Sequence, residues 1–92
     1  MYLHLGRDIS VPQNSIVTIF DMDTATHSRH TRAFLRTAER LGRIVVICDE
    51  LPKSAVVCVE GGRQVVYISQ ISSQTLLKRS ANVDRGFLGD VV

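Results

Sequence analysis

Apolar and polar residues alternate or cluster along this chain in a way that separates short strands from one long helical segment. Tyr2 to Leu5 alternates as a short strand closed by Gly6, and Arg7 to Val11 continues into a second strand before Pro12 and Asn14 mark a turn. Ser15 to Phe20 (SIVTIF) is β-branched and almost wholly apolar, so it reads as a strand covered on both faces. Arg43 to Cys48 (RIVVIC) reads the same way. Ala55 to Val59 and Gln64 to Ser69 flank Glu60-Gly61-Gly62-Arg63, where two glycines supply the positive φ angles of a two-residue hairpin and set Glu60 opposite Arg63.

Between the runs at 15–20 and 43–48 the period changes from two to 3.6. At 100° per residue, His27 to Arg43 places Arg29, Arg32, Arg36, Arg40 and Arg43 within an arc of roughly 80°. Phe34, Ala38 and Leu41 lie opposite, flanked by Leu35 and Thr31. The pattern predicts a helix with one face in a core and a ladder of guanidinium groups facing solvent. Thr26 or Ser28 is the expected N-cap, and Gly42 the terminator. The run Ser72-Ser73-Gln74-Thr75 offers a hydroxyl cap for a second, short helix through Arg79, anchored by Leu76 and Leu77. The expected architecture is α+β: a small antiparallel or mixed sheet of five to six short strands, the Arg-bearing amphipathic helix and a short C-terminal helix. Residues 1–80 form the expected domain. Residues 81–92 form a C-terminal tail, either free or docked on a neighbouring subunit through Phe87, Leu88, Val91 and Val92.

Composition sharpens this picture in two places. With 92 residues and 45% of them apolar, the domain has little interior for its apolar side chains, which predicts a homo-oligomer. Net charge is only +2, but its distribution is lopsided: the helical segment carries five arginines against Glu39 alone, while acids gather at Asp21, Asp23, Asp49, Glu50 and Glu60. A face meant only for solubility mixes Lys and Glu, whereas an all-Arg ladder suits a polyanion. Cys48 and Cys58 sit in apolar runs without CxxC spacing, as buried thiols of a reducing compartment do. No apolar run reaches membrane-spanning length, and the first residues lack a basic start and cleavage region, which together predict a cytoplasmic protein.

Candidate chemistry is thin. Asp21-Met22-Asp23-Thr24 looks like the strand-end DxDxT motif of haloacid-dehalogenase-type phosphatases, but Ala25 occupies the position that needs Thr, and the chain is too short for the parallel sheet that carries the other motifs. Asp21, Asp23, His27 and His30 converge poorly for a metal, and helix capping accounts for both acids. The expectation is a non-enzymatic protein with no cofactor and no metal.

Several segments taken in order resemble a known family. Tyr2-Leu3-His4-Leu5-Gly6, Ile16 to Asp21 (IVTIFD), Pro52-Lys53-Ser54-Ala55-Val56-Val57, Tyr67-Ile68-Ser69 and Ile71-Ser72-Ser73-Gln74-Thr75-Leu76 are similar to the RemA/RemB-like family of small bacterial proteins, formerly a domain of unknown function. The nearer branch is the RemB-type extracellular matrix regulatory proteins. The resemblance implies a regulator of biofilm-matrix genes. In the RemA branch it also implies a ring-shaped homo-oligomer whose outer arginines bind DNA. At the positions aligned with those arginines this chain has Ser15 and Leu51-Pro52, leaving Lys53 as the nearby cation. The expected contacts with double-stranded DNA therefore pass to Arg29, Arg32, Arg36, Arg40 and Arg43, assisted by Lys53, gripping phosphates rather than reading bases. The alternative is an oligomeric scaffold without nucleic acid, its arginines meeting acids such as Asp49-Glu50 on adjacent protomers.

Overall fold

The computed structural model describes residues 1–25 and 27–81. Its organising element is a four-stranded sheet in the order β3-β5-β6-β4, made of β3 (Ile16–Asp21), β4 (Ile44–Val46), β5 (Ser54–Glu60) and β6 (Arg63–Ser69). Gly61 and Gly62, at φ 57° and 78°, close the β5–β6 hairpin and set Glu60 opposite Arg63. This is the mirror-image turn whose twist matches the flanking strands. β3 pairs antiparallel with β5, with a bulge between Ile16 and Thr18, and β4 pairs parallel with β6.

β3 and β4 therefore run the same way on opposite edges of one sheet, so the chain between them must cross a face, and it does so as helices. They are α1 (Met22–Ala25) and α2 (Arg29–Arg40). The architecture is the expected α+β one, with a mixed sheet, one long amphipathic helix and a short C-terminal helix α3 (Ser73–Ala81).

Strand alternation sends two different sets of side chains to the two faces. One face holds Ile16, Ile19, Val56 and Cys58, closed over by the hairpin of β1 (Tyr2–Gly6) and β2 (Ile9–Pro12) through Leu3, Leu5 and Val11, and by α3 through Leu76. Serine hydroxyls tie these layers together. Ser69 donates to the Leu5 carbonyl, and Ser54 Oγ donates to the Ile71 carbonyl at 2.7 Å. Ser72 Oγ accepts the Thr75 N–H at 3.1 Å, the expected cap of α3. The other face holds Ala55, Val57, Val66 and Ile68 beneath α2, which brings Phe34, Leu35 and Ala38 inward. Phe34 meets Phe20 with ring centroids 6.2 Å apart and planes tilted by 59°.

Four expectations need correction. The run Arg43 to Cys48 is not a strand buried on both faces: β4 is a three-residue edge strand whose Val46 is 59% exposed. Likewise SIVTIF lies on the opposite edge, with Val17 bulged outward and 51% exposed. Continuous apolar runs suggest a central strand, but the crossover places β3 and β4 at the margins. The long helix is twelve residues, Arg29–Arg40, so Leu41 lies at its cap, 57% exposed rather than packed inward. Of the two thiols, Cys58 is buried and Cys48 only partly so; both are free. The tail expected at 81–92, with Phe87, Leu88, Val91 and Val92, lies outside the described residues beyond Ala81, as does Thr26. Among the described residues no helix is long and apolar enough to cross a membrane.

Candidate nucleic-acid interface

Helix α2 begins where Ser28, in an extended conformation, turns its hydroxyl to accept the Thr31 N–H at 3.3 Å. It ends in the geometry that Gly42 permits at φ 69°: the Gly42 N–H reaches the Glu39 carbonyl at 3.1 Å and the Arg43 N–H reaches the Ala38 carbonyl at 2.9 Å. These paired bonds form a Schellman closure, which satisfies carbonyls that the last turn would otherwise orphan. Between the two caps, Arg29, Arg32, Arg36 and Arg40 are all exposed, as the helical period requires. With 1.5 Å of rise per residue they span about 16 Å.

This placement works against the helix. No acid stands in its first turn, where the backbone dipole favours negative charge, and Arg29 and Arg32 sit there instead. Arg32–Arg36 and Arg36–Arg40 are like-charge neighbours one turn apart, each unfavourable by about 0.2–0.5 kcal/mol. Among the described residues Arg29, Arg36 and Arg40 make no ion pair with a carboxylate. A face chosen for stability would carry the opposite pattern.

Arg43 departs from the ladder. Because the helix has already closed, its side chain lines a notch of about 230 Å³ with Gly42, Val45, Glu60, Arg63, Gln64 and Val65, at the turn end of the β5–β6 hairpin. Arg63 thus joins Arg43 as a second cation at this end, a partnership that helical periodicity had no means of showing. The hairpin register did place it at the turn, which is the signal available in the sequence. Lys53 stands at the other end of the sheet, where its N–H donates to the Ser69 carbonyl at 2.8 Å and its carbonyl accepts the Met22 N–H at 3.0 Å. The structure therefore brings four of the six expected contact residues onto one helical face and places Arg43 and Lys53 at opposite ends of the sheet.

The positions aligned with the RemA-type arginines form no common surface. Ser15 sits before β3 with its hydroxyl donating to the Pro12 carbonyl at 2.6 Å, whereas Leu51 and Pro52 precede β5 at the far end of the β3–β5 pair. Asp49, a candidate acid for contacts between protomers, pairs with Arg7 of its own chain. Both groups are well exposed, so the pair contributes little to stability.

The other titratable groups describe structure rather than a reactive centre. Burial pushes the Cys58 thiol up to about 11, against a smaller opposing hydrogen bond with Ser15. Such a thiol stays protonated and inert. Tyr67 donates to Glu60 Oε2 at 2.9 Å, and burial, followed by that hydrogen bond, raises its hydroxyl to about 12. Asp21 Oδ1 accepts the Asp23 N–H at 2.9 Å at the start of α1, so this acid acts at a helix terminus. Among the described residues no three His, Cys, Asp or Glu side chains come together in a way that could hold a metal.

The same face carries a second feature, assembled from separate elements. Between α2 and β4 runs a groove of about 390 Å³ lined by Met22, Leu35, Ile44, Val46 and Ile68, with Arg32, Arg36 and Glu39 on its helical rim. Compared with known protein families, the chain matches none of their models, and no characterised protein matches it in sequence.

Proposed function

We propose that this protein is a cytoplasmic, non-enzymatic DNA-binding regulator of extracellular-matrix genes, of the RemA/RemB type, working as a homo-oligomer that holds duplex phosphates with α2. The observation that carries the reading is the row Arg29, Arg32, Arg36 and Arg40, exposed on one face at a cost to the helix that displays it. Duplex DNA carries one phosphate per 3.4 Å of axis on each strand, so a row of about 16 Å matches the axial rise of about five base-pair steps. Arg43 and Arg63 extend the cationic surface past the helix end, and Lys53 adds charge at the opposite margin. Contacts of this kind fix the protein on the duplex without reading bases, and repetition around an oligomer multiplies them. The resemblance of several segments, in order, to the RemA/RemB-like family supplies the matrix-gene assignment.

A second reading, an oligomeric interaction scaffold without nucleic acid, is favoured by the apolar side chains exposed away from the arginine row: Tyr2, Val17 and Leu51. The double variant Arg32→Glu/Arg36→Glu separates the two. The regulator keeps its oligomer by light scattering and loses duplex affinity in a gel shift. A scaffold assembled through these arginines falls apart; one assembled through Tyr2, Val17 and Leu51 keeps its oligomer but shows no duplex affinity before the change, and an unmodified protein that fails to bind duplex at low salt defeats the regulator.

A further inference from the structure

The groove between α2 and β4 has three properties that together define what fits it. First, β4 is the last strand of its sheet, and its parallel ladder uses alternate residues only: Val66 N–H bonds to the Arg43 carbonyl and Ile47 N–H to the Ile68 carbonyl. By that parity the N–H and C=O groups of Ile44 and Val46 point away from β6, beside a Val46 that is largely exposed. Second, the floor is apolar, formed by Met22, Leu35, Ile44, Val46 and Ile68 from four separate elements. Third, the helical rim carries Arg32 and Arg36 against Glu39 alone.

We infer that this groove binds an extended peptide segment of a partner protein, which adds as a further strand to β4, places an apolar side chain on the groove floor and directs an acidic side chain to Arg36. Unpaired backbone groups on an edge strand are satisfied by another extended chain, and side chains two positions apart on that chain face the same way. An acidic residue two positions from an apolar one therefore reaches rim and floor together. At about 3.3 Å per residue, the three residues of β4 pair with about three or four residues of the added segment.

Charge selects a partner of different sequence over a second copy of this chain. Two-fold pairing of β4 with its own copy lays both α2 helices on the same face of a continuous sheet and turns their arginine rims towards each other. An acidic segment meets the same rim with opposite charge. This inference does not rest on DNA binding, although Arg32 and Arg36 belong to both surfaces.

The test uses a fluorescein-labelled, terminally blocked hexapeptide, Thr-Val-Thr-Asp-Thr-Val, titrated with the full chain and followed by anisotropy. The expected result is saturable binding that falls at least about tenfold with Val46→Pro, because proline removes the outward N–H that the added strand needs while leaving the β6 ladder untouched. Duplex affinity of that variant stays within about twofold of the parent. Should Val46→Pro not fold, a charge exchange takes its place: Arg36→Glu weakens the Asp peptide and strengthens a matched peptide with Lys in place of Asp. Arg40→Glu, away from the groove, leaves peptide binding unchanged and weakens duplex binding, so failure of either proposal is visible without the other. The inference is overturned if the parent protein gives no anisotropy change up to about 1 mM. It is equally overturned if the Lys peptide binds the parent as well as the Asp peptide does, or if Val46→Pro lowers the oligomer mass, which would make β4 a contact between copies.

Discussion

The two faces of the four-stranded sheet have been put to different uses. On the face covered by the β1–β2 hairpin and α3, Leu3, Leu5, Val11, Val56, Cys58 and Leu76 are closed off from solvent, and serine hydroxyls bond the layers to one another. On the α2 face only Ala38 of the helix is fully buried, Phe34 and Leu35 are half-buried, and a groove remains open beside β4. The closed face holds the fold together. The open one carries the arginine row, in a helix whose charges oppose its own stability. What the contrast teaches is that a strong core on one side lets the other side keep a row of exposed cations and an open groove.

The largest expected difference between the faces is in core truncation. Leu5→Ala or Leu76→Ala, at fully buried positions, lowers the unfolding free energy by about 3 kcal/mol in urea melts. Leu35→Ala, at the groove, costs about 1 kcal/mol, since the site already borders open space. Equal losses at the two sites would mean that the two faces hold the fold together alike. Next in size is the Arg32→Glu/Arg36→Glu pair, which reduces duplex affinity at least about tenfold at low salt.

The cost of the arginine row has its own check. Ser28→Ala removes the hydroxyl cap and destabilises by about 1 kcal/mol, as capping losses do. Arg36→Glu runs the other way: it relieves two like-charge contacts and gains a favourable Glu-to-Arg40 spacing, so stability is unchanged or rises by up to about 0.5 kcal/mol while duplex affinity falls. A variant that loses stability and affinity together would mean that Arg36 supports the fold.

The smallest effects concern titration. Cys58 and Tyr67 both have folded pKa values raised above their ordinary ones, to about 11 and about 12. The unfolded chain therefore deprotonates first as pH rises. Their contribution is complete below pH 9 and is lost progressively up to about pH 12, so melting temperature declines across that window. In a thiol-reagent assay near neutral pH, Cys48 reacts before Cys58, which waits for the hairpin face to open.

Local chemistry was legible in the sequence where it is decided locally. Gly61-Gly62 specifies its turn, Ser28 and Gly42 bound their helix, Ser72 caps α3, and the 100° period finds the arginine row, because each depends on residues within one turn or one helix. Strand order is decided elsewhere. Val45 and Val46 read as interior residues until the crossover from β3 places β4 on an edge, and no property of RIVVIC itself records that outcome. The helical period runs past Gly42 and so counts Arg43 in the ladder, whereas the Schellman closure at Leu41 and Gly42 ends the helix before it and leaves Arg43 lining the same notch as Arg63. The groove has no sequence signature at all, being assembled from α1, α2, β4 and β6.

The central claim, that the row on α2 is a phosphate-binding surface, is tested most directly by the salt dependence of duplex binding. If four arginines per protomer each displace a counterion, log K against log salt falls with a slope of about −3.6 per protomer, and Arg40→Glu makes it shallower by about one. Duplex binding with a slope near zero, or with a slope that Arg40→Glu leaves unchanged, contradicts the claim.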